Sequence, residues 1–175
     1  MTEPHITQQE LKELFDYCDK TGNLIWKTKP NKNGGKAIIG QPTGTIVTNP
    51  KSGYQRKVSN IKGKMYKTHR LVWLWHYGTL PKTIDHKDNN PLNNKIENLR
   101  ECTISQNNSN RKFIGNKSGY KGVSRIEKNN SIYYKAQITI NNKNKNLGSF
   151  KTPEEAHEAY KKAAIERHKE FYKFN

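Results

Sequence analysis

Residues 84–108 read IDHKDNNPLNNKIENLRECTISQNN, and the architecture of the chain turns on them. Thr83 to His86 has the character of a short strand; it enters a loop dense in Asn and Asp and leaves through Leu99-Arg100-Glu101-Cys102. Thr103 and Gln106 follow at capping-box spacing, where each side chain satisfies the other's backbone amide, so a helix starts there with Asn107 in its first turns. A strand, a loop, a returning strand and a helix can bring four polar side chains to one spot: Asp85 and His86 from the first strand, Asn98 from the head of the second, and Asn107 from the helix.

That set of groups suits one reaction. Hydrolysing a phosphodiester needs a nucleophilic water, charge neutralisation at the scissile phosphate and stabilisation of the departing 3′ oxygen. His86 can act as the base, while a divalent cation on hard oxygen ligands, the Asp85 carboxylate and the Asn107 amide oxygen, can serve the other two needs. A plainer reading stands beside it, because Asp, Asn and His in such loops commonly cap turns through side-chain hydrogen bonds. Three accessory candidates adjoin the cluster. His69 sits on the preceding helix, Asn94 reads first as a loop fastener, and Arg100 leaves the second strand where it can contact a phosphate.

Upstream, Thr7 and Glu10 form another capping box, and Leu11, Leu14, Phe15 and Cys18 recur at the spacing of one buried helix face, ended by Gly22. Leu24 to Trp26, Thr45 to Thr48, Tyr54 to Val58 and Met65 to Thr68 read as short strands in antiparallel hairpins. Asn33-Gly34-Gly35, Ser52-Gly53 and Lys62-Gly63 are the turns between them. His69 to Tyr77 is apolar almost all round and predicts a short, largely buried helix stopped by Gly78. Downstream, residues 108–118 are rich in Asn, Ser, Lys and Gly and read as a linker. Strands are expected at Tyr120 to Ile126, Tyr133 to Ile140 and Lys145 to Phe150, broken at Lys128-Asn129-Asn130 and Asn141-Asn142-Lys143. A last helix is capped by Thr152 and Glu155, with Ala156, Ala159, Tyr160, Ala163 and Ala164 as its apolar face.

Composition says what such a chain meets. Its 175 residues carry 32 Lys plus Arg against 15 Asp plus Glu, a net charge of +17, which speaks against an enzyme of small neutral metabolites and for a polyanion, most commonly nucleic acid. Ten Lys or Arg against one acid fall within residues 108–151. Alternation in the expected middle strand turns Tyr134, Ala136, Ile138 and Ile140 toward the alanine helix. Lys135, Gln137 and Thr139 face the other way, flanked by Lys121 and Arg125, with charge for phosphates and polar groups for base edges. The longest strongly apolar run, Leu71 to Trp75, is far too short to span a bilayer, and the polar stretch MTEPHITQQE leads us to expect no signal peptide. The expectation is a cytoplasmic protein, in the host cell's cytoplasm for a phage-encoded chain. Its two cysteines, Cys18 and Cys102, cannot build a four-thiolate zinc site, so no structural zinc is expected.

Two resemblances sharpen these expectations. His69-Arg70-Leu71-Val72, Asp85-His86-x-Asp88, Asn94, Glu97-Asn98-Leu99-Arg100 and Asn107 resemble the HNH endonucleases, in the phage and intron-homing branch whose third motif residue is Asn. The likeness extends upstream through Thr21-Gly22-x-Leu24-x-Trp26 and Gly53-Tyr54. It implies a ββα-metal fold in which Asp85 and Asn107 bind one Mg²⁺, with Mn²⁺ or Ni²⁺ able to replace it. His86 would activate water and Asn98 would tie down the loop and orient the histidine. Residues 119–174, from Gly119-Tyr120-Lys121-Gly122-Val123 through Leu147-Gly148-Ser149-Phe150 to the Glu154-Glu155-Ala156 helix, resemble the Apetala-two or ethylene-response-factor DNA-binding domain. That likeness implies a three-stranded sheet in the major groove with one helix behind it.

The expected fold is therefore α+β. Residues 1–107 form a nuclease domain with an N-terminal helix and hairpins, its ββα-metal core at about 69–112; 108–118 link it to a DNA-reading domain at 119–175. The expected function is metal-dependent, site-specific hydrolysis of double-stranded DNA, of homing or phage type, leaving 5′-phosphate and 3′-hydroxyl ends. The acting species would be a monomer or weak dimer without membrane association. The alternative is a non-catalytic DNA-binding transcriptional regulator; binding of RNA through charge alone is the weaker third.

Overall fold

The structure, a computed structural model, describes residues 6–29, 37–110, 115–140 and 143–168. The expected turn at Asn33-Gly34-Gly35, the break at Asn141-Asn142 and the basic residues Arg111 and Lys112 lie outside them. Helices and antiparallel sheets are both present, and the chain divides into two compact units, residues 1–102 and 103–175.

In the first unit α1 (Gln8–Leu14) opens on the Thr7–Glu10 capping box. The helix stops at Leu14, one turn short of the expectation that carried it through Cys18. Phe15 is already extended at φ −136° and begins β1 (Phe15–Cys18), which pairs with β2 (Asn23–Trp26). Phe15 and Tyr17 alternate as well as they fit a helical period. The arbiter is a distant partner: Phe15 lies opposite Trp26, with ring centroids 4.3 Å apart. β3 (Thr45–Thr48), β4 (Gln55–Ile61) and β5 (Lys64–Lys67) form an antiparallel meander. Lys62 and Gly63, at φ 51° and 82°, make the tight turn between the last two. β5 runs directly into α2 (Thr68–Tyr77), which Gly78 ends in the left-handed conformation. Leu11, Leu14, Phe15, Leu24, Ile61, Leu71, Val72 and Leu74 close the core around α2, together with Ile84 and Leu99 from the two strands that follow. Those strands, β6 (Ile84–His86) and β7 (Leu99–Glu101), are antiparallel, with a 3₁₀ turn at Ile96–Asn98 before the second. Anchoring Ile84 and Leu99 in the core fixes where the intervening loop begins and ends.

The second unit starts with α3 (Ile104–Asn110). It is capped as expected: Thr103 N–H donates to Gln106 Oε1 at 2.7 Å and Gln106 N–H to Thr103 Oγ1 at 3.2 Å. β8 (Val123–Lys128), β9 (Ser131–Ile140) and β10 (Lys143–Phe150) form a sheet with β9 in the middle, and α4 (Pro153–His168) covers one face. β8 begins at Val123 and not at Tyr120, because Gly119 and Gly122 take positive φ and turn the chain there. Ala136, Ala156 and Ala164 are fully buried, so the helix backbone lies close to the sheet. No helix among the described residues is long and apolar enough to cross a membrane.

Candidate active site

A strand turns successive side chains to opposite faces. β6 therefore sends Asp85 one way and His86 the other, and both are buried. The register sets Asp85 against Arg100. Arg100 Nε donates to Asp85 Oδ2 at 2.9 Å, and Nη2 lies 2.9 Å from the same oxygen. The accessory candidate Arg100 is thus a buried partner of the expected metal ligand.

His86 meets Asn94, its Nε2 3.0 Å from Asn94 Oδ1. With the amide oxygen accepting, Nε2 carries the proton and Nδ1 the lone pair. The residue that touches the histidine is Asn94, itself 1% exposed, rather than the scaffold candidate Asn98. Asn98 works on the loop. Its Oδ1 accepts from Asp88 N–H at 3.1 Å, and its Nδ2 donates to Asp88 Oδ1 at 2.9 Å and to the Asn93 carbonyl at 2.8 Å. Burial pushes the Asp88 carboxyl up, but hydrogen bonds from Asn93, the Asn90 backbone and Asn98 outweigh it and hold the group below its ordinary value. His69, on α2, packs edge to face on His86 with ring centroids 5.1 Å apart. Burial, reinforced by the nearby charges of His86, Lys67 and Arg70, pushes His69 down to about 3, so its ring is neutral around pH 7.

Two further residues hold this loop, and the sequence reading gave neither of them that role. Tyr17 Oη accepts the Ile96 N–H at 2.8 Å. Gly22, read as a helix end and as part of the upstream motif, takes φ +70°, and a Cβ there would lie 2.3 Å from Lys95 N and 2.6 Å from Asn94 C. The β1–β2 turn therefore sits directly against the backbone that carries Asn94. Its one local cue was a glycine just before an alternating Leu24-x-Trp26 strand.

Asn107 is half-buried on α3, in the second unit, whereas Asp85 and His86 belong to the first. Among the described residues no three His, Cys, Asp or Glu side chains cluster as possible metal ligands. A carboxylate and an amide oxygen nevertheless match the hard oxygen donors that Mg²⁺ takes, since that ion keeps several waters and adds substrate phosphate oxygens. The buried Asp85 carboxylate, already compensated by a cation, fits such a role in its donor chemistry. Burial pushes the Cys102 thiol up to about 11, which makes it an inert core side chain.

Basic charge is not confined to the second unit. From Thr21 to Ile84 there are twelve Lys or Arg and no acid, a run hidden in the overall count. The β3–β4–β5 register sets Arg56 beside Val47, and Val58 between Thr45 and Lys67, on one face. In the second unit Lys135, Gln137 and Thr139 share a face with Ser124, Asn144 and Asn146. A cleft of about 440 Å³ in this unit is lined by Ser105, Asn108, Ser124, Gln137, Thr139 and Asn144 together with the apolar Ile104, Val123, Ile138 and Tyr160. Arg125 is not on that face: it pairs with Tyr134 on the Val123 side and bonds Glu127 at 2.9 Å. Lys121, half-buried before β8, offers its carbonyl to His157 Nδ1.

Residues 66–109 match the family model of the HNH endonucleases. Over 124 residues the chain is 40% identical to an uncharacterized HNH endonuclease of Acanthamoeba polyphaga mimivirus; the match covers 69% of this chain and 62% of the viral protein. No solved structure matches the chain significantly.

Proposed function

We propose that the chain, whose residues 66–109 match the family model of the HNH endonucleases, hydrolyses phosphodiester bonds of double-stranded DNA, as a site-specific nuclease of phage or homing type leaving 5′-phosphate and 3′-hydroxyl ends. The observation that carries this reading is His86. It is buried beside Asp85, held through Nε2 by Asn94 and packed on a neutral His69. In that arrangement Nδ1 takes the proton of the attacking water, and a neutral His69 adds no repulsion to the imidazolium that forms. Asp85 and Asn107 would hold a divalent ion, probed as Mg²⁺, Mn²⁺ or Ni²⁺, which supplies charge neutralisation at the scissile phosphate and the leaving oxygen. Asn98 keeps the loop folded so that Asn94 stays on the histidine. Residues 119–175 act as a separate reading module of Apetala-two type. Lys135, Gln137 and Thr139 face the groove, Lys121 lies near its edge, and the module raises the local concentration of the nuclease at its target.

The test is cleavage of supercoiled plasmid in Mg²⁺. His86→Ala is expected to abolish nicking while DNA affinity stays within a few-fold. A variant that cuts at the wild-type rate refutes His86 as the base. Wild-type protein that binds DNA but cuts with none of Mg²⁺, Mn²⁺ and Ni²⁺ would instead be a DNA-binding regulator.

A further inference from the structure

The Asp85–Arg100 pair reaches beyond that reading. Asp85 is 4% exposed, and a carboxylate removed from water to that degree needs a compensating charge or it destabilises the fold. Arg100 supplies it from the directly opposite position of the neighbouring strand, with two guanidinium nitrogens on the single oxygen Oδ2. Its side chain is only 12% exposed, so this contact is not a fluctuating surface ion pair. Oδ2 of the expected metal ligand is therefore already satisfied by a cation of the protein's own.

We propose that Arg100 is the resident counter-ion of Asp85 and that metal entry is a cation exchange, in which the guanidinium must leave Oδ2 before a divalent ion can use it. Arg100 thereby keeps metal affinity low in the absence of DNA. A phosphate is the natural alternative partner for the displaced guanidinium, because its oxygens accept the same forked donors. Substrate then favours loading of the metal, and the enzyme without substrate stays largely unloaded. The pair also maintains the fold in the unloaded state, since a buried carboxylate stripped of its partner is strongly destabilising.

This inference rests on Asp85 being a metal ligand, and the experiment separates the two claims. Mn²⁺ binding to the full chain is measured at pH 8 without DNA, from the loss of the free-ion paramagnetic resonance signal, for wild type, Arg100→Gln, Arg100→Lys and Asp85→Asn. Arg100→Gln is expected to bind Mn²⁺ about tenfold more tightly than wild type, because a competing charge-assisted bond is gone. Arg100→Lys, which keeps a cation but loses the fork, is expected to fall between them and keeps the test open should the Gln variant fold poorly. Thermal unfolding gives a second readout: Mn²⁺ should raise the midpoint of either Arg100 variant more than that of wild type. Arg100 variants that bind Mn²⁺ no more tightly than wild type overturn the exchange. Unchanged binding by Asp85→Asn overturns instead the assignment of Asp85 as ligand, and with it the metal site of the proposed function.

Discussion

Replacing Gly22 by Ala tests whether the β1–β2 turn holds the loop that carries Asn94. The new Cβ would stand 2.3 Å from Lys95 N, 2.6 Å from Asn94 C and 2.8 Å from Lys95 Cα, against about 3.4 Å for ordinary contact. These are backbone atoms of another segment, with no flexible side-chain end to swing aside, so turn and loop must part by about 1 Å. Two costs follow. Holding Ala at φ +70° costs roughly 1–2 kcal/mol, and forcing the overlap costs roughly 1–3 kcal/mol more. Gly53→Ala isolates the first cost, because Gly53 also has positive φ, at +66°, but nothing within 4 Å of its Cβ position. Urea unfolding followed by tryptophan fluorescence reports on the first unit alone, since all three tryptophans, Trp26, Trp73 and Trp75, lie in it. Gly22→Ala should be less stable than Gly53→Ala by roughly 1–3 kcal/mol. The displaced backbone is the one that carries Asn94 to His86, so cleavage under conditions where the variant is folded should fall by about 10²-fold. Equal stability of the two variants would refute the close approach. A stability gap with unchanged cleavage would refute its connection to the histidine.

Acid should destabilise the first unit through His69. Its native pKa of about 3 lies below the ordinary 6.5, so the unfolded chain binds the proton first; the stability is complete above pH 6.5 and is lost as pH falls toward 3. His69→Phe should remove about 2 kcal/mol of the stability difference between pH 6.5 and pH 5, measured by urea unfolding; an unchanged profile would show that His69 does not titrate this way. Asn98→Ala forfeits three loop hydrogen bonds and should cost roughly 2–3 kcal/mol. Amide exchange should then speed up across residues 87–97, and unaltered exchange there would mean the loop is held by something else. Changing Arg56 and Lys67 together to Gln should lower the slope of log K against log salt for duplex DNA by about 1.8, if the β3–β5 face touches phosphates. An unchanged slope would assign the non-specific grip to the second unit.

Much of the scaffold was legible because it is encoded locally. The capping boxes at Thr7 and Thr103, the N-cap at Thr152, the tight turn at Lys62-Gly63 and the left-handed stop at Gly78 depend on residues within one turn of each other. Motif spacing likewise brought Asp85, His86, Asn98 and Asn107 forward as candidates. Their partners were not legible, because partnership depends on strand register and on segments far apart in the chain.

Local chemistry was thus enough for most of the order of elements, the basic character and the choice of candidate groups, since propensity, capping and net charge are short-range or additive properties. Contacts between distant segments settled the rest. Phe15 became a strand residue because Trp26 covers it, Asn94 came to the histidine because Gly22 lets another turn lie against its backbone, and Asp85 acquired Arg100 because β6 and β7 pair in one register and not another. A shift of one residue in that pairing would put Arg100 on the opposite face and leave the carboxylate buried without its cation.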